Sequence, residues 1–154
     1  MVKRAVLEGG KVLKGLIKQF LAERTEQNAF AVLHCLRDSF VFIPCTVKMS
    51  EEDKAKFIQG KVGDEVTTEN DIRFIPDTLQ NGEAEFFSVF SSAEEMGEYG
   101  NNFSKIEKHF FEAMSLVMGN ENLVGIVVNA FSTPFIVEKG LFELIGSLPT
   151  NVED

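Results

Sequence analysis

The chain has 154 residues, 44% hydrophobic and 25% charged, ordinary values for one folded soluble domain. Its net charge of −9 is uneven: residues 1–24 hold six basic side chains against two acidic ones, so the remainder carries −13. A body that acidic repels phosphate backbones and argues against sequence-independent nucleic-acid binding.

Lys11 to Glu23 opens the ordered pattern. Leu13, Leu16, Ile17, Phe20 and Leu21 recur at helical spacing, and Lys11, Lys14 and Lys18 fall on another face, which predicts a basic amphipathic helix over about 11–23. Charge suggests that it lies on the acidic body. A second helix is expected from Glu26 to Arg37, capped by Thr25, with Ala29, Val32, Leu33 and Leu36 buried. Phe40 to Val47 reads as a strand, and Pro44, which lacks an N–H, places it at an edge or a bulge. Ser50 and Asp53 then open a short polar helix, and Gly60 and Gly63 mark a loop in the most solvated stretch, Ser50 to Asn70.

Asn81-Gly82 between Ile72–Leu79 and Glu85–Ser91 predicts a hairpin with a primed turn. A strict two-residue loop would set Pro76 opposite Phe87, so a longer loop or a bulge is expected. Phe86, Phe87, Val89 and Phe90 put apolar groups on both faces of their strand, as in a covered central strand. Ser92 with Glu95 reads as a capping box for a short helix ending near Gly100. A second box, Ser104 with Glu107, predicts a helix to Met118 whose stripe is Ile106, Phe110, Met114 and Val117, stopped by Gly119. Leu123–Val128 is a second buried strand. A turn at Asn129–Thr133, a strand Pro134–Val137 and a helix Leu141–Leu148 follow, with Thr150–Asp154 expected to fray. With no repeat and no linker, the chain is one domain with its core over about 25–148.

No motif announces catalysis. His34 and His109 lack companions at metal-site spacing, so both read as structural, and no cofactor is implied. Cys35 and Cys45 are read as reduced, inert thiols. Gly60-Lys61-Val62-Gly63 lacks the spacing of a phosphate loop. Glu94, Glu95 and Glu98 fit a first helical turn, where the helix dipole favours acids. Carboxylate pairs assembled only in space stay open. The 15 Phe, with no Trp and one Tyr (Tyr99), belong mainly in the core. The longest apolar runs are far too short to span a bilayer, and the N-terminus lacks a signal peptide's apolar stretch, so a cytoplasmic location is expected.

Three stretches carry a resemblance: Phe40-Val41-Phe42-Ile43-Pro44, then Val89-Phe90-Ser91-Ser92-Ala93-Glu94-Glu95-Met96, then Gly125-Ile126-Val127-Val128-Asn129-Ala130-Phe131. In that order the chain resembles the N-terminal domain of the bacterial SseB family, linked by name to enhanced serine sensitivity, over residues 25 to 147. Ser91-Ser92 stands where that family usually has Thr-Ser, and Ala130 where Pro is commoner. The resemblance implies no reaction, because the family has no established one. It does imply a bacterial source.

These readings together predict an α+β fold, a mixed and largely antiparallel sheet of about five strands with helices packed on it. The expected function is a non-catalytic protein- or ligand-binding module with a regulatory role. A homo-oligomeric subunit and a small enzyme with a site assembled in three dimensions are the alternatives. Candidate contacts are the aromatic turn (Asn129, Phe131, Ser132, Phe135) and the basic face (Lys11, Lys14, Lys18). For that helix, docking within the molecule or between subunits is favoured over contact with a membrane surface.

Overall fold

A computed structural model describes residues 2–48 and 73–153. In chain order these form β1 (Val2–Lys3), α1 (Arg4–Leu7), a 3-10 turn, α2 (Lys11–Ala22), α3 (Glu26–Arg37) and β2 (Phe40–Lys48). Next come β3 (Arg73–Pro76), β4 (Thr78–Asn81), β5 (Ala84–Val89), a 3-10 helix (Ala93–Asn102) and β6 (Ser104–His109). The chain closes with α4 (Phe110–Met118), β7 (Leu123–Val128), β8 (Phe135–Glu138), α5 (Phe142–Ser147) and β9 (Val152–Glu153). The fold is α+β. Its strands form a four-stranded sheet ordered β4-β5-β7-β8, a three-stranded sheet ordered β3-β2-β6 and a β1-β9 pair. All neighbours are antiparallel except β5-β7 and β1-β9.

The two larger sheets meet at one residue pair. Phe42 and Phe90 exchange both backbone hydrogen bonds, at 2.8 and 2.9 Å. That junction explains a correction. β2 is the middle strand of its sheet, not an edge, and Pro44 is buried in it. Its carbonyl accepts from Asp77 N (2.8 Å), on the side where its missing N–H would also point. On that side β2 changes partner, from Phe90 at Phe42 to β3 starting at Cys45. Pro44 falls in the gap, where no ladder donor is required.

The same partner change corrects the hairpin. Asp77 separates β3, which pairs with β2, from β4, which pairs with β5, so Pro76 lies opposite Cys45 and never meets Phe87. The loop is the two residues Gly82-Glu83, closed by Asn81 opposite Ala84, with positive φ only at Gly82 (65°). No longer loop is needed. The irregularity lies elsewhere, between Glu85 and Phe86 where β5 meets β7.

Helices α2 and α3 form as their patterns predict, and Thr25 Oγ1 caps α3 by accepting from Asn28 N (3.1 Å). Leu13, Ile17, Val32, Leu33 and Leu36 from these helices pack with Phe110 and Val117 of α4. They lie against Phe87, Val89, Ile126, Val128 and Val137 of the sheet. Ser104–His109, predicted as the start of a helix, is instead a strand that completes the ladder of β2, with Ile106 opposite Ile43. Its Ser-x-x-Glu spacing is a local signal overridden by β2's need for a backbone partner. Lys105, Glu107 and Lys108 keep this edge strand charged. Helix α4 therefore begins at Phe110, capped by His109, whose Nδ1 accepts from Phe111 N (3.1 Å).

Residues 150–153 are anchored, against the expectation that this end frays. Val152 is buried, and β9 pairs in parallel with β1. Buried Asp38 holds this end: Oδ1 accepts from Thr150 Oγ1 (2.6 Å) and Oδ2 from Asn151 N (2.8 Å). Arg4 donates to the Asp38 carbonyl, which ties the N-terminal segment to the same residue. The polar helix predicted after Ser50 and the Gly60–Gly63 loop lie outside the described residues.

Asp38→Ala removes the acceptor of three donors, Arg37 Nη1, Thr150 Oγ1 and Asn151 N, so it is expected to cost ~2 kcal/mol in urea unfolding and to speed hydrogen exchange at Val2 and Val152. A second prediction concerns His109. Burial, then the charges of Arg4 and Arg37, hold its ring below the ordinary 6.5, against the opposing pull of Asp38 and Glu112. The neutral ring is the capping form, so the unfolded chain takes up the proton first. Stability should fall as pH drops below about 6.5, levelling off once the folded ring has also protonated. His109→Asn, which retains a capping group, should flatten that part of a pH–stability profile measured from pH ~8 to ~5.

Candidate functional site

Strands β5 and β7 run parallel and side by side, so their C-terminal ends release two loops at the same edge of the sheet. After β5 come Ser91, Ser92 and the 3-10 helix; after β7 comes the turn 129–133. Asn129 locks the two together. It is fully buried, with φ 53°, a left-handed conformation that Asn tolerates better than most residues. Its Nδ2 donates to Ser91 Oγ (2.9 Å), its Oδ1 accepts from Ser91 N (2.9 Å), and its backbone N–H donates to Val89 O (3.0 Å).

This lock lifts Phe131 into solvent. The residue is 54% exposed; its ring stacks on buried Phe90 at 6.0 Å and makes a T-shaped contact with Tyr99 at 4.7 Å. Phe103 extends the cluster, 4.8 Å from Tyr99. Phe131, Tyr99 and Met96 form the apolar part of an open concavity of about 490 Å³, with Glu94, Glu98 and Ser132 also lining it. The 3-10 helix turns sharply at Gly97 (φ 56°, ψ −142°), between Met96, which is buried, and Glu98, which is exposed. Among the described residues, the buried Tyr99 hydroxyl has no hydrogen-bond partner.

Glu95 is the joint between this shelf and the N-terminal helix. It accepts from Lys14 Nζ on one oxygen and from Ser132 Oγ on the other. Burial alone would raise its carboxyl. The hydrogen bonds from Lys14 and Ser132, with the charges of Lys14 and Lys18, outweigh that and hold it below the usual carboxylate value. The expected Ser92–Glu95 capping box is therefore absent: the Ser92 side chain makes no cap bond, and the Glu95 carboxylate faces Lys14 and Ser132.

The seven candidate residues separate into distinct roles. Phe131 and Ser132 are exposed on the shelf. Asn129 is the buried lock, and Phe135 is 6% exposed, packed edge-on against Phe20 at 5.3 Å, so neither can touch a partner. Phe135 belongs to β8 and shares the inner face with Val137, whereas Phe131 precedes the strand. Lys11 and Lys18 stay exposed while Lys14 docks on Glu95. With Leu13 and Ile17 in the core, α2 lies on its own chain. Sequence reasoning missed Tyr99 as a member of the site and assigned Glu94 and Glu98 only to a helix dipole. The available signal was an isolated Tyr beside three acids; its proximity to Phe131 depends on the β5-β7 pairing.

The other candidates are structural. His34 Nε2 contacts Pro149 O (3.0 Å). Burial raises both thiols, and Cys35 is raised further by Asp38 while a hydrogen bond with Ser39 works against this, so both are poor nucleophiles at neutral pH. No group of three or more His, Cys, Asp or Glu among the described residues could hold a metal ion. No helix among them is long and apolar enough to cross a membrane. Comparison with protein-family models, curated proteins and solved structures gave no match.

Asn129→Ala should strip Ser91 of both side-chain bonds and cost about 2–3 kcal/mol in chemical denaturation, with loss of the Phe131 ring's ordered NMR contacts to Tyr99. Unchanged contacts would show that the turn is held by its backbone alone.

Proposed function

We propose that this chain is a non-catalytic binding module of the SseB kind, acting as a regulatory protein in a bacterial cytoplasm, and that the Phe131 shelf is its contact surface. The observation that carries this reading is the exposure of Phe131 while its stacking partner Phe90 and its neighbour Asn129 are buried. A rigidly mounted, solvent-facing aromatic ring gives large contact area at little conformational cost, which is why such rings dominate the energetics of many interfaces. The shelf is open and shallow, as suits a macromolecular partner more than an enclosed small molecule.

The order of the three motif stretches supports the family reading in a further way. Two of them, Val89–Met96 and Gly125–Phe131, meet at the Ser91–Asn129 lock, and the third reaches them through the Phe42–Phe90 pair. They converge on one edge of the sheet.

The test is photo-crosslinking in cell lysate, with a photoreactive phenylalanine analogue at position 131 and, as control, at exposed Phe30 on α3. Discrete adducts are expected from position 131 alone. Phe131→Ser should abolish capture by a photoreactive group at neighbouring Ser132 while shifting stability by less than ~1 kcal/mol. Equal adducts at both positions, or none at 131, would remove the shelf as the contact surface.

A further inference from the structure

We propose that the shelf receives an arginine side chain from a basic segment of a protein partner, its guanidinium lying over the Phe131 ring and paired with Glu94 and Glu98. This rests on the shelf being the binding surface and adds the chemistry of what it binds.

The apolar part of the argument is geometric. An exposed phenyl face attracts a cation through its ring quadrupole, and a planar guanidinium can stack there as an ammonium cannot. Phe131 is about half exposed, with Phe90 stacked on its ring and Tyr99 in a T-shaped contact with it. The same concavity is lined by the carboxylate-bearing residues Glu94 and Glu98, both exposed. Aromatic face and carboxylates thus converge on one shallow space, the combination that suits a flat, delocalised cation carrying several donors.

Two further observations set the sign of the partner. The whole chain carries −9, so its long-range field draws basic segments and repels acidic ones. The 3-10 helix already holds one cation from its own chain, Lys14, on Glu95. That contact satisfies Glu95 and leaves Glu94 and Glu98 as the other carboxylates lining the concavity.

The openness of the concavity selects the source of the cation. A free small guanidinium compound would leave much of its surface wet, whereas an arginine on a peptide adds backbone and neighbouring contacts across the rim. Each exposed charge pair contributes little, so the affinity of an isolated peptide should be weak and strongly salt-dependent.

The experiment titrates the full 15N-labelled chain with a short end-blocked peptide containing two arginines, beside the same peptide with citrulline, its neutral isostere, at both positions. Amide shifts at Tyr99, Phe131 and Ser132 are expected with the arginine peptide and not with citrulline. Raising salt from about 0.1 to 1 M cuts the screening length from roughly 10 to 3 Å and should remove most of the binding. Glu94→Gln with Glu98→Gln should weaken it about five- to tenfold, and Phe131→Leu by a similar factor. Equal binding of the citrulline peptide, shifts spread over other acidic surfaces, or no effect of the glutamine substitutions would each overturn the proposal. So would the absence of any shift. In all these cases a position-131 crosslink to a partner would still stand, which separates failure of the arginine assignment from failure of the contact surface.

Discussion

The reciprocal hydrogen bonds between Phe42 and Phe90 are the constraint on which this architecture turns. They make a single continuous platform out of two sheets that otherwise have separate strand orders. Because Phe90 directly follows β5 and Phe42 lies near the start of β2, the pair fixes where β5 must stop and where its loop must leave. It also sets the register at which β2 exchanges one neighbour for another, and so the place where Pro44 is harmless. A strand junction held by one pair is short, but both of its amides and carbonyls are satisfied and Phe90 is fully buried.

From that junction the site follows by topology. Parallel neighbours have their C-terminal ends on the same side, so the loops after β5 and β7 are forced together. Ligand crevices at the carboxyl ends of parallel strands arise from the same geometry. Here the two connections are cross-linked by Asn129 and Ser91, which fills the space between them with a buried hydrogen-bonded pair. What stays accessible is the outer rim, with Phe131 on one loop and Tyr99, Glu94 and Glu98 on the other. A filled crevice with an exposed aromatic rim is suited to surface recognition.

The N-terminal helix enters the same arrangement electrostatically and by packing. Leu13 and Ile17 are buried in the common core, so α2 is part of the domain's fold, and Lys14 meets Glu95 at the back of the shelf. The positive segment and the acidic remainder are thus complementary within one molecule. Gly10 shows how close this packing is: it has φ +73°, and a Cβ there would lie 2.1 Å from the Ser91 carbonyl oxygen. The start of α2 therefore rests on the residue that Asn129 clamps, and helix, lock and shelf share one set of contacts.

Periodicity by itself determined α2, α3, β2, β5 and β7, because each carries an apolar pattern that only one secondary structure can bury. It also determined the α+β class and the turn at 129–133. Local signals misled where tertiary demand competed. Ser104 and Glu107 have the spacing of a helix start, yet the open backbone of β2 draws that segment into a strand. Ser92 and Glu95 have it too, yet Lys14 and Ser132 claim the carboxylate. The C-terminal residues look polar and loose, yet Asp38, more than a hundred positions earlier, holds them. The site divides along the same line. The turn that carries Phe131 was legible, whereas the exposure of Phe131, the burial of Phe135 and Asn129 and the arrival of Tyr99 were not. Sequence spacing records what a residue's neighbours along the chain require, while the pairing of β5 with β7 is a long-range contact that no local pattern encodes.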